Sequence, residues 1–123
     1  MIRVDHLAIS VRDHARSCEW YTSNFGLRIE VRLPERRIVG LTDDADFTLF
    51  LVETPAEQVT PSCTLTLQVD DVEAKYRELS ARGVSFEKSP QKLFWGYGAE
   101  LRDPDGYHLN LWDERSMREK GGE

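Results

Sequence analysis

Side chains able to do chemistry are sparse in this chain. It has three histidines, His6, His14 and His108, and two cysteines, Cys18 and Cys63. A serine or cysteine nucleophile needs a base within hydrogen-bond reach, and no motif places a histidine or an acid beside one. The cysteines form no CxxC pair. Cys18 falls in a helical pattern and Cys63 at a strand start, so both read as reduced thiols in or near a core. One acid/base option remains. Glu100 and His6, if the fold brings them together, would suit a metal-free isomerase or hydrolase. His14 and His108 read as exposed, without a role.

A second chemistry lies in the run "ELRDPDGYHLNLW" (Glu100–Trp112). Asp103-Pro104-Asp105-Gly106 is a tight turn: proline presets φ, aspartates bond the turn backbone and Gly106 accepts a positive φ. The strand after it alternates Tyr107, Leu109, Leu111 against His108, Asn110, Trp112. An asparagine and a tryptophan on one face leave three readings open: a core, a metal site or the wall of a pocket, since an aromatic in a sheet is more often ordinary core packing. Trp95 and Tyr97 stand just upstream and could line the same wall, since aromatic surfaces bury large flat ligands. Glu100 shares a strand face with Arg102; a carboxylate among aromatics favours a cationic or hydrogen-bond-donating ligand.

Strands and helices must position these side chains, and the chain writes its elements twice. Val11 recurs as Val69, and Asp13 recurs as Asp71 at the same offset. Each Asp is a good helix N-cap, and Gly26 and Gly83 are good residues just past a helix end. The first copy reads as strand Ile2–Val11, helix Asp13–Phe25, then strands Leu27–Leu33, Arg37–Thr42 and Phe47–Glu53. The second reads as Thr64–Val69, helix Val72–Arg82, then Val84–Lys88, Trp95–Arg102 and Tyr107–Trp112. An internal repeat of this kind predicts two βαβββ modules, about 1–53 and 63–113, in one α+β domain. "TPAEQVTPS" (54–62) links them. The charged tail 114–123 is expected to fray. Ala15, Cys18, Tyr21 and Phe25 mark the apolar face of the first helix, and Val72, Tyr76 and Leu79 that of the second. A sheet with helices on one face leaves the other free to curl around a ligand.

Composition narrows the function classes. The chain of 123 residues can bury a core without staples. It is 40% hydrophobic and 31% charged, which is ordinary for a soluble globular protein. A net charge of −6 argues against nucleic acid as a partner. No run is apolar enough to span a membrane and the N-terminus has no signal-peptide pattern, so a cytoplasmic protein is expected.

The segments "VDHLAISVRDHARSCEWYTSNFGLRI", "LTLQVDDVEAKYRELSARGV" and "LRDPDGYHLNLW" together resemble the vicinal oxygen chelate superfamily, which includes glyoxalase I, extradiol dioxygenases and bleomycin-resistance proteins. The resemblance implies paired βαβββ modules forming a cup-shaped mixed sheet, completed by a homodimer. It also implies four positions where metal-dependent members carry ligands. Here these are His6, Phe50, Thr64 and Asn110, so only His6 matches and no metal or other cofactor is expected. Phe50 holds its position if Leu49 and Leu51 face the helix; a slip of one residue would present Glu53 instead. "WG" at Trp95-Gly96 and "FTLFLVETPAEQVTPSCTLTL" are similar to the metal-free, drug-sequestering bleomycin-resistance branch. The reading that follows is a small-molecule binder for an antibiotic-type, aromatic or cationic ligand, using His6, Phe50, Trp95, Tyr97, Glu100, Asn110 and Trp112. The alternative is a metal-dependent or metal-free lyase, isomerase or dioxygenase of the same superfamily. Trp20 and Tyr21 are read as core residues.

Overall fold

A computed structural model describes residues 1–122, which form two compact units, Met1–Pro61 and the chain from Ser62 onward. In the first unit β1 (His6–Val11) and α1 (His14–Phe25) lead to β2 (Arg28–Leu33), β3 (Ile38–Thr42) and β4 (Thr48–Glu53). In the second, β5 (Thr64–Gln68) and α2 (Val72–Ala81) lead to β6 (Phe86–Leu93), β7 (Gly96–Arg102), β8 (His108–Trp112) and a last helix, α3 (Glu114–Lys120). The sheets are ordered β1-β4-β3-β2 and β5-β8-β7-β6, each with one parallel pair, β1 with β4 and β5 with β8. The fold is therefore α+β with two four-stranded mixed sheets, one βαβββ module in each unit.

The period of two along each strand decides what is buried. In the first unit Ile9, Val11, Val39, Leu41, Leu49 and Leu51 point to the side where α1 packs on β3 and β4, and all are buried. Tyr21 and Cys18 of α1 close this layer. In the second unit Ala99, Leu101, Leu109 and Leu111 are fully buried, with Val72 and Leu79 of α2. Each such leucine contributes about 1.5–3 kcal/mol by leaving water. Trp20 packs edge-on against Tyr21, ring centroids 4.9 Å apart, as core aromatics do. Within α1 the buried face is Ser17, Cys18, Tyr21 and Asn24, whereas Ala15 is exposed.

Both modules start their helices alike. Asp13 accepts the backbone N–H groups of Ala15 and Arg16, and Asp71 that of Ala74. The next orphan donor is met from across the module: His14 N–H donates to Glu53 at 3.0 Å, and Val72 N–H to Asp113 at 2.6 Å. These carboxylates hold matching places, Glu53 as the last residue of β4 and Asp113 as the residue directly after β8. The hairpins that precede them repeat in the same way. Asp43 accepts N–H bonds from Ala45 and Phe47, and Asp103 from Asp105 and Tyr107, all at 2.9 Å. The left-handed position is Gly106 (φ 96°) in one turn and Asp46 (φ 66°) in the other.

Three sequence expectations are corrected. β1 begins at His6 rather than Ile2: Ile2 and Val4 are 98% and 78% exposed and pair with no strand among the described residues. β6 continues past Lys88 to Leu93 although it contains Pro90. It is an edge strand with bulges, where a missing N–H is tolerated. The tail does not fray at once. Asp113 caps α3 by accepting from Ser116 N–H and Ser116 Oγ–H, and the Met117 sulfur accepts the Tyr97 N–H at 3.4 Å.

Candidate functional site

In the first unit, β4 carries Leu49, Leu51 and Glu53 toward α1, which puts Thr48, Phe50 and Val52 on the opposite, helix-free face. The Phe50 ring lies over Gly40, where a Cβ would come within 2.8 Å of it, and meets the His6 ring edge-on at 5.1 Å. His6 is exposed, with Nδ1 3.2 Å from the Asp5 carboxylate. Glu53 is on the helix side. It binds His14 Nδ1 at 2.8 Å and the Arg37 guanidinium at 3.3 Å. The His14 side-chain bond, joined by its backbone N–H, holds the Glu53 carboxyl below its ordinary range. His14 is thus half-buried and partnered rather than free.

In the second unit the helix-free face is denser. Residues 98, 100 and 102 of β7 lie on it beside His108, Asn110 and Trp112 of β8, since Glu100 pairs with Asn110 and Arg102 with His108. Trp95 folds back over this face. Its indole N–H donates to Glu100 Oε2 at 2.9 Å, and its ring covers Gly98, where a Cβ would stand 2.5 Å from the ring. His108 Nε2 lies 3.2 Å from the other Glu100 oxygen, and its Nδ1 lies 3.7 Å from Glu87. Arg102 Nε–H donates to Glu87 at 3.0 Å. Glu100 is 7% exposed. Asn110 Oδ1 is buried and makes no hydrogen bond among the described residues. Trp112 is half-buried next to it, and Thr64, Thr66 and Gln68 of β5 are exposed.

The structure therefore places Trp95, Glu100, Asn110 and Trp112 on one face of one unit, and His6 and Phe50 on the corresponding face of the other. Tyr97 departs from expectation. Strand alternation turns it to the helix side, where its hydroxyl donates to Glu73 Oε1 at 2.6 Å and Lys120 Nζ sits 5.0 Å from its ring centre. That bond and burial push its pKa up to about 12. His108 is the residue that sequence reasoning passed over. Alternation with Asn110 and Trp112 already placed it on the face, but only the fold brings Glu100 and Glu87 to it.

Of the four positions at which the resemblance expects metal ligands, His6 and Phe50 lie in the first unit and Thr64 and Asn110 in the second. The registers make His6 and Thr64 equivalent (each opens its strand) and likewise Phe50 and Asn110. Within each unit the pair is a poor donor set for a divalent cation: an imidazole with a phenyl ring in the first, a hydroxyl with a neutral amide in the second. Among the described residues no three His, Cys, Asp or Glu side chains group to hold a metal ion. Both cysteines are free thiols, and burial raises the pKa of each.

Fold and face together define a protein of paired βαβββ modules whose helix-free sheet surfaces carry aromatic and polar side chains. The chain belongs to the Glyoxalase/Bleomycin resistance protein/Dioxygenase superfamily, whose pattern it matches over residues 3–111. Among solved structures it is similar to TnmS3, an antibiotic binding protein from Streptomyces sp. CB03234, with 27% identity, TM-score 0.78, and coverage of 92% of this chain and 96% of that one. It is similar in fold to a lactoylglutathione lyase from Agrobacterium tumefaciens (17% identity, TM-score 0.75, covering 92% and 94%) and to UcmS2 (23%, 0.73, covering 90% and 97%). No curated protein matches it.

Proposed function

We propose that this protein binds and sequesters a mid-sized, antibiotic-type small molecule, aromatic or cationic, on the helix-free sheet faces, without a metal. The observation that carries this reading is the second unit's face. Two half-buried tryptophans, Trp95 and Trp112, share this face with an asparagine whose carbonyl oxygen is buried and makes no hydrogen bond among the described residues. Stacking on indole supplies affinity, and a buried polar wall supplies orientation. Similarity to an antibiotic binding protein supports the same reading. The protein is expected to be cytoplasmic and to work as a homodimer.

Titration of planar antibiotics, bleomycin-type compounds included, should quench tryptophan fluorescence and raise the melting temperature. Flat titrations over a broad panel, with an unchanged melting temperature, would reject sequestration. Elemental analysis should find no stoichiometric divalent metal after dialysis. A second reading, a metal-free lyase or isomerase, is favoured by the 3.2 Å approach of His108 to Glu100. Mass spectrometry of a bound ligand after long incubation separates the two: recovery unchanged supports the binder, and conversion that His108→Gln abolishes supports the enzyme.

A further inference from the structure

Resting on the binding reading just given, we infer that Glu100 is a positioning residue. It fixes the Trp95 indole as a preformed wall, rather than acting as counter-ion to a charged ligand. A carboxylate on a pocket face invites the opposite conclusion. The geometry around this one leaves little of it for a ligand. Glu100 is 7% exposed, one oxygen accepts the Trp95 indole N–H at 2.9 Å, and the other lies 3.2 Å from His108 Nε2. The nearest further carboxylate, Glu87, is likewise engaged, by Arg102 at 3.0 Å.

The indole is held from two sides. Glu100 binds its edge, and Gly98 leaves the space beneath its ring that any Cβ would fill. An aromatic wall fixed before binding loses less entropy when a ring stacks on it. The groups on this face with capacity to spare are the buried Asn110 carbonyl oxygen, the exposed hydroxyl and amide groups of Thr64, Thr66 and Gln68, and the exposed ammonium of Lys88, opposite Glu100 in the edge strand, which repels rather than rewards a cation. The ligand class this selects is a planar, uncharged ring system with hydrogen-bonding substituents. Positive charge adds nothing, because the carboxylate that would reward it already holds the wall.

The test uses the full chain and has two arms. In the first, NMR of the 15N-labelled indole N–H groups follows the three tryptophans, with Trp95→Phe assigning the Trp95 signal and Trp112 of β8 reporting that the second unit is folded. Wild type should show a shifted, exchange-protected Trp95 N–H. Glu100→Gln, which retains an acceptor, should keep it, and Glu100→Ala should lose it while the Trp112 signal of the same unit keeps its folded-state dispersion. An unmoved Trp95 signal in Glu100→Ala overturns the positioning role. If Glu100→Ala fails to fold, Glu100→Leu, which fills the space but offers no acceptor, takes its place, and an unmoved Trp95 signal there overturns the role instead. The second arm compares two tricyclic probes, neutral acridone and cationic 9-aminoacridine, at pH 7. Acridone should bind at least as tightly as the cation; Glu100→Gln should change either affinity by less than about threefold, and Glu100→Ala should weaken both about tenfold. A cation preference of about tenfold or more, erased by Glu100→Gln, would make Glu100 the counter-ion and reject the proposal. Failure of both probes to bind wild type would reject the binding reading and the ligand class; the NMR arm still decides the positioning role.

Discussion

Tyr97 and Glu100 sit in one strand and have opposite jobs, because a strand changes face at every residue. Tyr97 joins β7 to α2 through Glu73. Tyr97→Phe removes a buried-side bond to a charged acceptor, which typically contributes about 1.5–3 kcal/mol when fully buried and less at a half-buried site such as this. The expected outcome is a loss of about 1 kcal/mol in denaturant unfolding, with ligand-induced fluorescence quenching unchanged. Weakened ligand binding with stability intact would put Tyr97 back on the ligand side. Asn110 should show the reverse. Its buried, unbonded oxygen costs stability, so Asn110→Leu is expected to raise the unfolding free energy by about 1 kcal/mol and to weaken ligand binding.

At the scale of elements, each module ties its last strand to the start of its helix through a carboxylate. Glu53 is held below the ordinary range chiefly by its side-chain bond to His14, then by the His14 backbone N–H. For Asp113, burial pushes upward, but the N–H groups of Ser116 and Val72 outweigh it and the net shift is downward. A carboxylate with a lowered folded-state pKa stabilises the fold above its unfolded pKa, near 4. That stabilisation is lost as pH falls through the folded value. Acid unfolding should therefore steepen below about pH 4, and the double variant Glu53→Gln, Asp113→Asn should be less stable at pH 7 with a flatter acid limb. A parallel pH profile for variant and wild type would count against this account. The repeated hairpins allow a second prediction. Asp46 takes the left-handed conformation that its counterpart Gly106 takes freely. Asp46→Gly should stabilise the fold by about 0.5–1 kcal/mol, relief of the left-handed penalty exceeding the glycine entropy cost. Thermal melting reads this out as a rise of a few degrees.

For the molecule as a whole, the C-terminal helix is part of the second unit and not an appendage. Met117 accepts the Tyr97 N–H and packs on Gly96 and Gly121, where a Cβ would strike its sulfur. Truncation after Asp113 should uncover the start of β7 next to Trp95 and lower the melting temperature. Hydrogen exchange should rise in β7 and β8 and remain unchanged in β1–β4. Equal loosening of both units would show that they do not unfold separately. No helix among the described residues is long and apolar enough to cross a membrane.

Much of this was legible from residue order, because it rests on local rules. N-cap aspartates, glycines past helix ends, an Asp-Pro-Asp-Gly turn and period-two alternation are short-range and steric, and they marked two βαβββ modules before any contact was known. The same alternation put Phe50, Asn110 and Trp112 on helix-free faces. It failed where a longer-range partner decides. Ile2 and Val4 look like strand yet pair with no strand among the described residues, and Pro90 looks like a stop yet sits where an edge strand needs no donor. Tyr97 reads as a pocket aromatic until strand phase turns it to the helices. What tertiary structure alone decided is the fate of the charges: that Glu100 is shared by Trp95 and His108, and that Glu53 and Asp113 close helix starts far from them along the chain. Those bonds depend on which strands lie side by side, and register is set by the packing of a whole sheet on its helix.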